Sequence, residues 1–159
     1  MIRHLTLLLL LVLSPRAEAQ VDAKGHWNQD YDPHVAALGL SAGYTSGTGL
    51  ALRWPALPQT MMSVSGGAWG QSDELDWNIG VEAHYVLRQA GRTRVFIGPA
   101  LGAFSDHDAD DTNVNVSFNV GVEVLVQPRA SVKADIGFTY LGDDASVYPL
   151  PQLAVYYYF

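Results

Sequence analysis

Asn113 to Val126 read NVNVSFNVGVEVLV. Val114, Val116, Phe118, Val120, Val122, Val124 and Val126 alternate with Asn113, Asn115, Ser117, Asn119, Gly121 and Glu123, and Leu125 is the one apolar residue out of step. A strand turns successive side chains to opposite faces, so this segment has an apolar face and a polar one. It is longer than an ordinary strand of a water-soluble protein and long enough to cross a bilayer at the usual tilt. The expectation is that the apolar face meets lipid and the polar face lines a narrow closed barrel.

The same beat runs through the chain from Val35 onward. Strands are expected at about 35–45, 49–55, 60–70, 76–88, 93–104, 113–126, 130–141 and 151–159. In the fourth, Trp77, Ile79, Val81, Ala83, Tyr85 and Leu87 oppose Asn78, Gly80, Glu82, His84 and Arg88, with Val86 out of pattern. In the seventh, Val132, Ala134, Ile136, Phe138 and Tyr140 oppose Lys133, Asp135, Gly137 and Thr139. The third and fifth are rich in glycine and ambiguous in facing, and Pro99 argues for a bulge or break in the fifth. The fold expected is all-β: an eight-stranded antiparallel up-and-down transmembrane β-barrel over residues 35–159.

Ahead of it, Met1 to Ala19 reads as a cleavable secretory signal, with Arg3 and His4, an apolar run from Leu5 to Leu13, and Ala17-Glu18-Ala19 as the cleavage site. That run is too short to span a membrane as a helix. Residues 20–34 are polar and without period, and read as a flexible N-terminal segment. The chain of 159 residues has no cysteine, so neither a disulfide scaffold nor a thiol site is available to it. Its net charge of −7 and lack of a basic patch exclude nucleic acid as a partner.

Connections divide by length and by charge. Residues 55–58, 89–92 and 127–129 are short turns, whereas 71–76, 105–112 and 142–150 are longer loops. Ser46-Gly47-Thr48 is a short tip on the long-loop side. Asp73, Glu74, Asp76, Asp106, Asp108, Asp110, Asp111, Asp143 and Asp144 belong to the long loops, and Arg88, Arg92, Arg94 and Arg129 to the short turns. Short periplasmic turns and long external loops are usual in outer-membrane barrels.

A soluble lipocalin-like barrel would also alternate, with its apolar face inward. Here the minority face mixes charge with Gly, Ser and Asn, which suits a narrow lumen. Aromatics also gather in two belts: Tyr44, Trp69, Trp77, Phe104 and Tyr140 towards the long loops, and Trp54, Tyr85 and Phe159 towards the short turns. The last strand ends on Phe159, with Leu153, Val155 and Tyr157 on the same face. This is similar to the C-terminal assembly signal of bacterial outer-membrane barrels, and the chain from residue 20 resembles small barrels of the OmpA, OmpX and OmpW type. The resemblance implies a bacterial outer-membrane location with periplasmic termini and a monomer without cofactors. Its implied partners are outer-membrane lipid, lipopolysaccharide and the barrel-insertion machinery.

Three constellations could carry chemistry. Arg53, Glu82, His84, Asn115, Asn119, Glu123, Lys133 and Asp135 should share the lumen, and charge buried there must pair across it. Read structurally they close the pore; read functionally they line a narrow channel for small solutes or ions. Asp106, Asp108, Asp110 and Asp111 place carboxylates at alternate positions, as a weak divalent-cation loop would, yet lack the turn glycine and late Glu of a calcium loop. A lipid A-modifying enzyme would need His and Ser together on a lipid-facing wall. His84 is expected to point inward, and His107 stands beside Ser105 in a loop. The reading is therefore a non-enzymatic barrel serving membrane integrity or surface interaction through acidic loops.

Overall fold

The computed structural model of the chain describes residues 36–71, 74–106, 111–141 and 146–159. The signal at 1–19 and the segment 20–34 fall outside these residues. Eight strands follow in order: β1 Ala37–Ala42, β2 Gly49–Leu57, β3 Thr60–Gln71, β4 Glu74–Ala90, β5 Thr93–Asp106, β6 Asp111–Gln127, β7 Ala130–Leu141 and β8 Ser146–Tyr158. Each pairs antiparallel with its neighbours in sequence, and β8 returns to β1 to close a barrel. The expected all-β, eight-stranded up-and-down architecture is what forms.

Closure fixes the slant of the strands. A ladder followed from Ala37 through Arg53, Ser63, Glu82, Ala100, Ser117 and Thr139 arrives at Tyr148 of β8, whereas Ala37 itself pairs with Tyr158. That stagger of ten residues across eight strands tilts them by about 40° to the axis, which leaves a narrow lumen.

Alternation sorts the two faces. Leu38, Leu40, Leu52, Ile79, Leu101, Val116, Phe118, Ile136, Phe138, Leu153 and Val155 are exposed on the outside, while Ser63, Glu82, Asn119, Lys133, Thr139 and Gln152 are buried within. The two apolar residues out of step stand beside irregularities. Register shifts fall between Val86 and Arg88 and between Leu125 and Gln127, and a third lies between Pro55 and Leu57. All three are at the short-turn end, where a bulge re-aims the chain entering the turn. Leu125 faces inward in step with Glu123, ahead of its shift, and with Met61, Tyr156 and Tyr158 it makes an apolar base to the lumen.

Several expectations need correction. β1 ends at Ala42 rather than 45, because the chain leaves the wall at Gly43, and β8 starts at Ser146 rather than 151. Pro99 does not shift the register. It faces outward, opposite Phe118 of β6. On the β4 side the pairing lapses only at Ala83 and His84 and resumes unchanged at Tyr85 with Ile97. Gly98 makes this close passage possible, since a Cβ there would fall on the Ala83 carbonyl oxygen. Phe104 is at the long-loop end but lies on the inward face, so it is not part of the outer belt.

Candidate functional site

The lumen is the one concentration of chemistry among the described residues. Strands β2, β4, β5, β6 and β7 each turn at least one ionisable side chain into it, because every second residue of a strand must point there. Arg53, Glu82, His84, Asn115, Asn119, Glu123, Lys133 and Asp135 are all buried in it. Arg94 joins them and is itself buried, which corrects its placement at a short turn.

Two ionic centres form. Near the short-turn end, Glu123 receives Arg53 at 2.7 Å, with Arg94 at 3.8 Å. Its other oxygen accepts from the hydroxyls of Ser131 and Tyr158, each at 2.6 Å. Arg53 also lies over the Tyr156 ring, 5.2 Å from its centroid. Nearer the long loops, Lys133 contacts Glu82 at 2.6 Å and Asp135 at 2.9 Å. Glu82 accepts further from Ser63 at 3.1 Å and from Asn119 at 3.2 Å. The His84 ring connects the two centres, with Nδ1 at 3.5 Å from Arg53 and Nε2 at 3.5 Å from Glu82, and its face tilts against Phe96.

Three cations, Arg53, Arg94 and Lys133, therefore meet three carboxylates, Glu82, Glu123 and Asp135. Removed from water, each would be strongly unfavourable alone, and the arrangement answers that by balance as well as by contact. Arg53–Glu123 and Lys133–Glu82 join non-adjacent strands across the barrel and brace opposite walls, whereas Arg94 meets Glu123 from the neighbouring strand and Asp135 shares β7 with Lys133.

Above the ions comes a feature the sequence did not announce. Residues 43–48 fold into the lumen. Thr45, Ser46 and Gly47 are buried, although Thr45 and Ser46 are short and polar. The Thr45 hydroxyl meets that of Ser117 at 2.7 Å, and the Ser46 amide donates to Gln152 at 2.8 Å. Thr48 donates its amide to Asn78 at 2.6 Å and accepts back from the Asn78 side chain at 3.0 Å. Asn115 donates to the Tyr44 carbonyl at 3.1 Å, and Ser65 donates to that of Ser46. The turn fits because the wall around it is small: Ser65, Gly80 and Gly102 follow one another on a single ladder. Gly47, at φ 79°, lies in the left-handed region that favours glycine, and a Cβ there would press on the Ser65 carbonyl. Gln152 then carries the network down to Asn119 at 3.1 Å. Hydrogen bonds thus run from the inserted turn to the Glu82–Lys133 centre.

The remaining candidates are less informative. Asp108 and Asp110 lie outside the described residues, and Asp106 and Asp111 are described only as paired positions at the ends of β5 and β6. Among the described residues, no group of three or more His, Cys, Asp or Glu has a metal-binding arrangement. His107 is outside them too. His84 is buried in the lumen and so takes no part in a lipid-facing wall. Leu153, Val155, Tyr157 and Phe159 all point outward along β8, each more than half exposed.

A polar, charged interior inside an apolar wall inverts the order of a soluble protein. It is the architecture of a small outer-membrane barrel. No family model matches the chain, and no curated protein matches it in sequence. Two solved structures are similar in fold. Neisserial surface protein A shares 16% identity, with 79% of this chain and 94% of that one covered at a TM-score of 0.44. Ail, the attachment invasion locus protein of Yersinia pestis, shares 13% over the same fractions at a TM-score of 0.35. Likeness at this level assigns no role to this chain.

Proposed function

We propose that this protein is an integral barrel of a bacterial outer membrane. It reaches that membrane by a cleaved signal, carries no catalytic centre, and is closed to solutes by its interior. It serves membrane integrity or surface contact through its acidic loops. The observation that carries the reading is the inversion: exposed Leu, Val, Ile and Phe around the wall, and a charge-balanced polar lumen behind them. In water that wall would be an apolar patch far larger than monomeric proteins tolerate, whereas in lipid it is the expected surface. Tyr85 towards the short turns and Trp77 and Tyr140 towards the long loops supply headgroup-level aromatics at both rims. The outward row ending on Phe159 is the part offered to the insertion machinery, and lipopolysaccharide is the neighbour of the long-loop end.

Two measurements test this. In detergent, unheated protein should migrate apart from boiled protein, because a closed barrel resists unfolding; a single unchanged band would remove the barrel. In a planar bilayer the refolded protein should be electrically silent. Discrete conductance steps that change with Lys133→Ala would instead establish a narrow channel through the lumen.

A further inference from the structure

The inward-folded turn leaves the wall incomplete at the long-loop end. β1 pairs with β8 only as far as Ala42 with Leu153, and β2 with β3 only as far as Leu50 with Gly66. β8 continues beyond that point through Pro151, Pro149 and Val147, and β3 through Ala68 to Gln71, each paired among the described residues with its other neighbour alone. Two strands are missing between these edges, so a notch about 14 Å wide along the wall opens there, at ordinary strand spacing.

Three observations describe what the notch suits. First, the inward face changes character at this height. Below the inserted turn it is ionic and hydrogen-bonded, but above it Trp69, Phe104, Leu141, Tyr148 and Leu150, all partly exposed, outnumber the polar Asp76, Asn113 and Ser146 on the same face. The Phe104 ring lies close over Gly102, next to Thr45, so it rests on the turn. Second, the β8 edge is blunted. An exposed strand edge presents N–H groups that hydrocarbon cannot satisfy. Alternate residues direct those groups to opposite neighbours. Pro149 and Pro151, paired with β7 but unable to donate, occupy the set that would donate across the notch. Third, the notch reaches below the aromatic rim. Trp77 pairs with Ala68 and Tyr140 with Val147, so both prolines and Gly67 stand on the bilayer side of those rings.

We infer that the notch admits one acyl chain of an outer-leaflet lipid, which lies in the mouth against Phe104, Leu141, Tyr148 and Leu150 with the inserted turn as its floor. The inference rests on the membrane reading above. A proline-blunted edge would be a poor template for an added peptide strand, and a mouth lined chiefly by Trp69, Phe104, Leu141, Tyr148 and Leu150 would be a poor cradle for a polar solute.

The test uses single-tryptophan reporters in the full chain, with Trp27, Trp54, Trp69 and Trp77 each changed to Phe. Leu150→Trp, Tyr148→Trp, Phe138→Trp and Phe96→Trp are refolded separately into phosphatidylcholine vesicles with brominated or ordinary acyl chains. Folding of each is confirmed by its heat-dependent migration. Phe138 faces outward and Phe96 is buried in the lumen. The Phe138→Trp reporter should lose emission in brominated lipid and the Phe96→Trp reporter should keep it. The Leu150→Trp and Tyr148→Trp reporters should lose it as the outward one does. If they stay bright in brominated lipid and are quenched by aqueous iodide, the notch holds water and the inference falls. If the outward reporter also escapes bromine, it is the membrane reading that fails.

Discussion

Lys133 shows how few choices a buried side chain has in this lumen. Its ammonium is shared by Glu82 and Asp135, and neither carboxylate can reach water. Lys133→Met would strand both, so unfolding free energy in lipid vesicles should fall by about 3–5 kcal/mol, the usual effect of breaking a buried pair from one side. Adding Asp135→Asn should restore part of that loss, and a double-mutant cycle by denaturant titration measures how much. Tyr158→Phe should be milder, at about 1.5–3 kcal/mol, for one hydroxyl lost from a charged acceptor. These positions were readable in advance because β4, β6 and β7 alternate cleanly, and parity alone placed Glu82, Glu123 and Lys133 inside. Arg94 was not readable. In β5 the inward set continues through Phe96, Gly98, Ala100 and Gly102, while Val95, Ile97 and Leu101 face out, so apolarity no longer marks the side. The remaining signal was the two-residue step from Arg94, which a neighbouring turn made easy to discount.

Among the elements, the inserted turn depends most on what its neighbours lack. A Cβ at Gly80 would fall on the Ser46–Gly47 peptide, so Gly80→Val should expel residues 43–48 and leave the eight strands paired. Amide exchange should report this directly: the Ser46 and Thr48 amides, protected by Gln152 and Asn78, would exchange freely while β6 and β7 stay protected. As a string of residues, Ser46-Gly47-Thr48 reads as an ordinary hairpin tip at the end of a strand. Its destination was encoded elsewhere, in the run of small inward residues Ser65, Gly80 and Gly102 that leaves a space the chain itself must fill. Such information is spread over three strands and becomes visible only when they are in register. The shortness of β1 has the same origin, for a chain that dives inward at Gly43 cannot also extend the wall.

For the molecule as a whole, the distinguishing test is its response to its solvent. Ile136→Arg should lower stability in vesicles by about 2–4 kcal/mol, the range for a cation on the lipid face near mid-membrane. Were the wall in water, the same change would be nearly neutral, so refolding yields in lipid and in denaturant series decide the matter. The cross-barrel pairing has a consequence for biogenesis. Arg53 of β2 is matched by Glu123 of β6, and Glu82 of β4 by Lys133 of β7. No hairpin of adjacent strands contains both members of either pair. A chain that entered hydrocarbon one hairpin at a time would carry Arg53 and Glu82 without these partners until β6 and β7 arrived. Entry should therefore be concerted, with the ring of strands gathered before it sinks. Stopped-flow refolding would then show probes on β2 and β7 acquiring their final environment with a single rate constant.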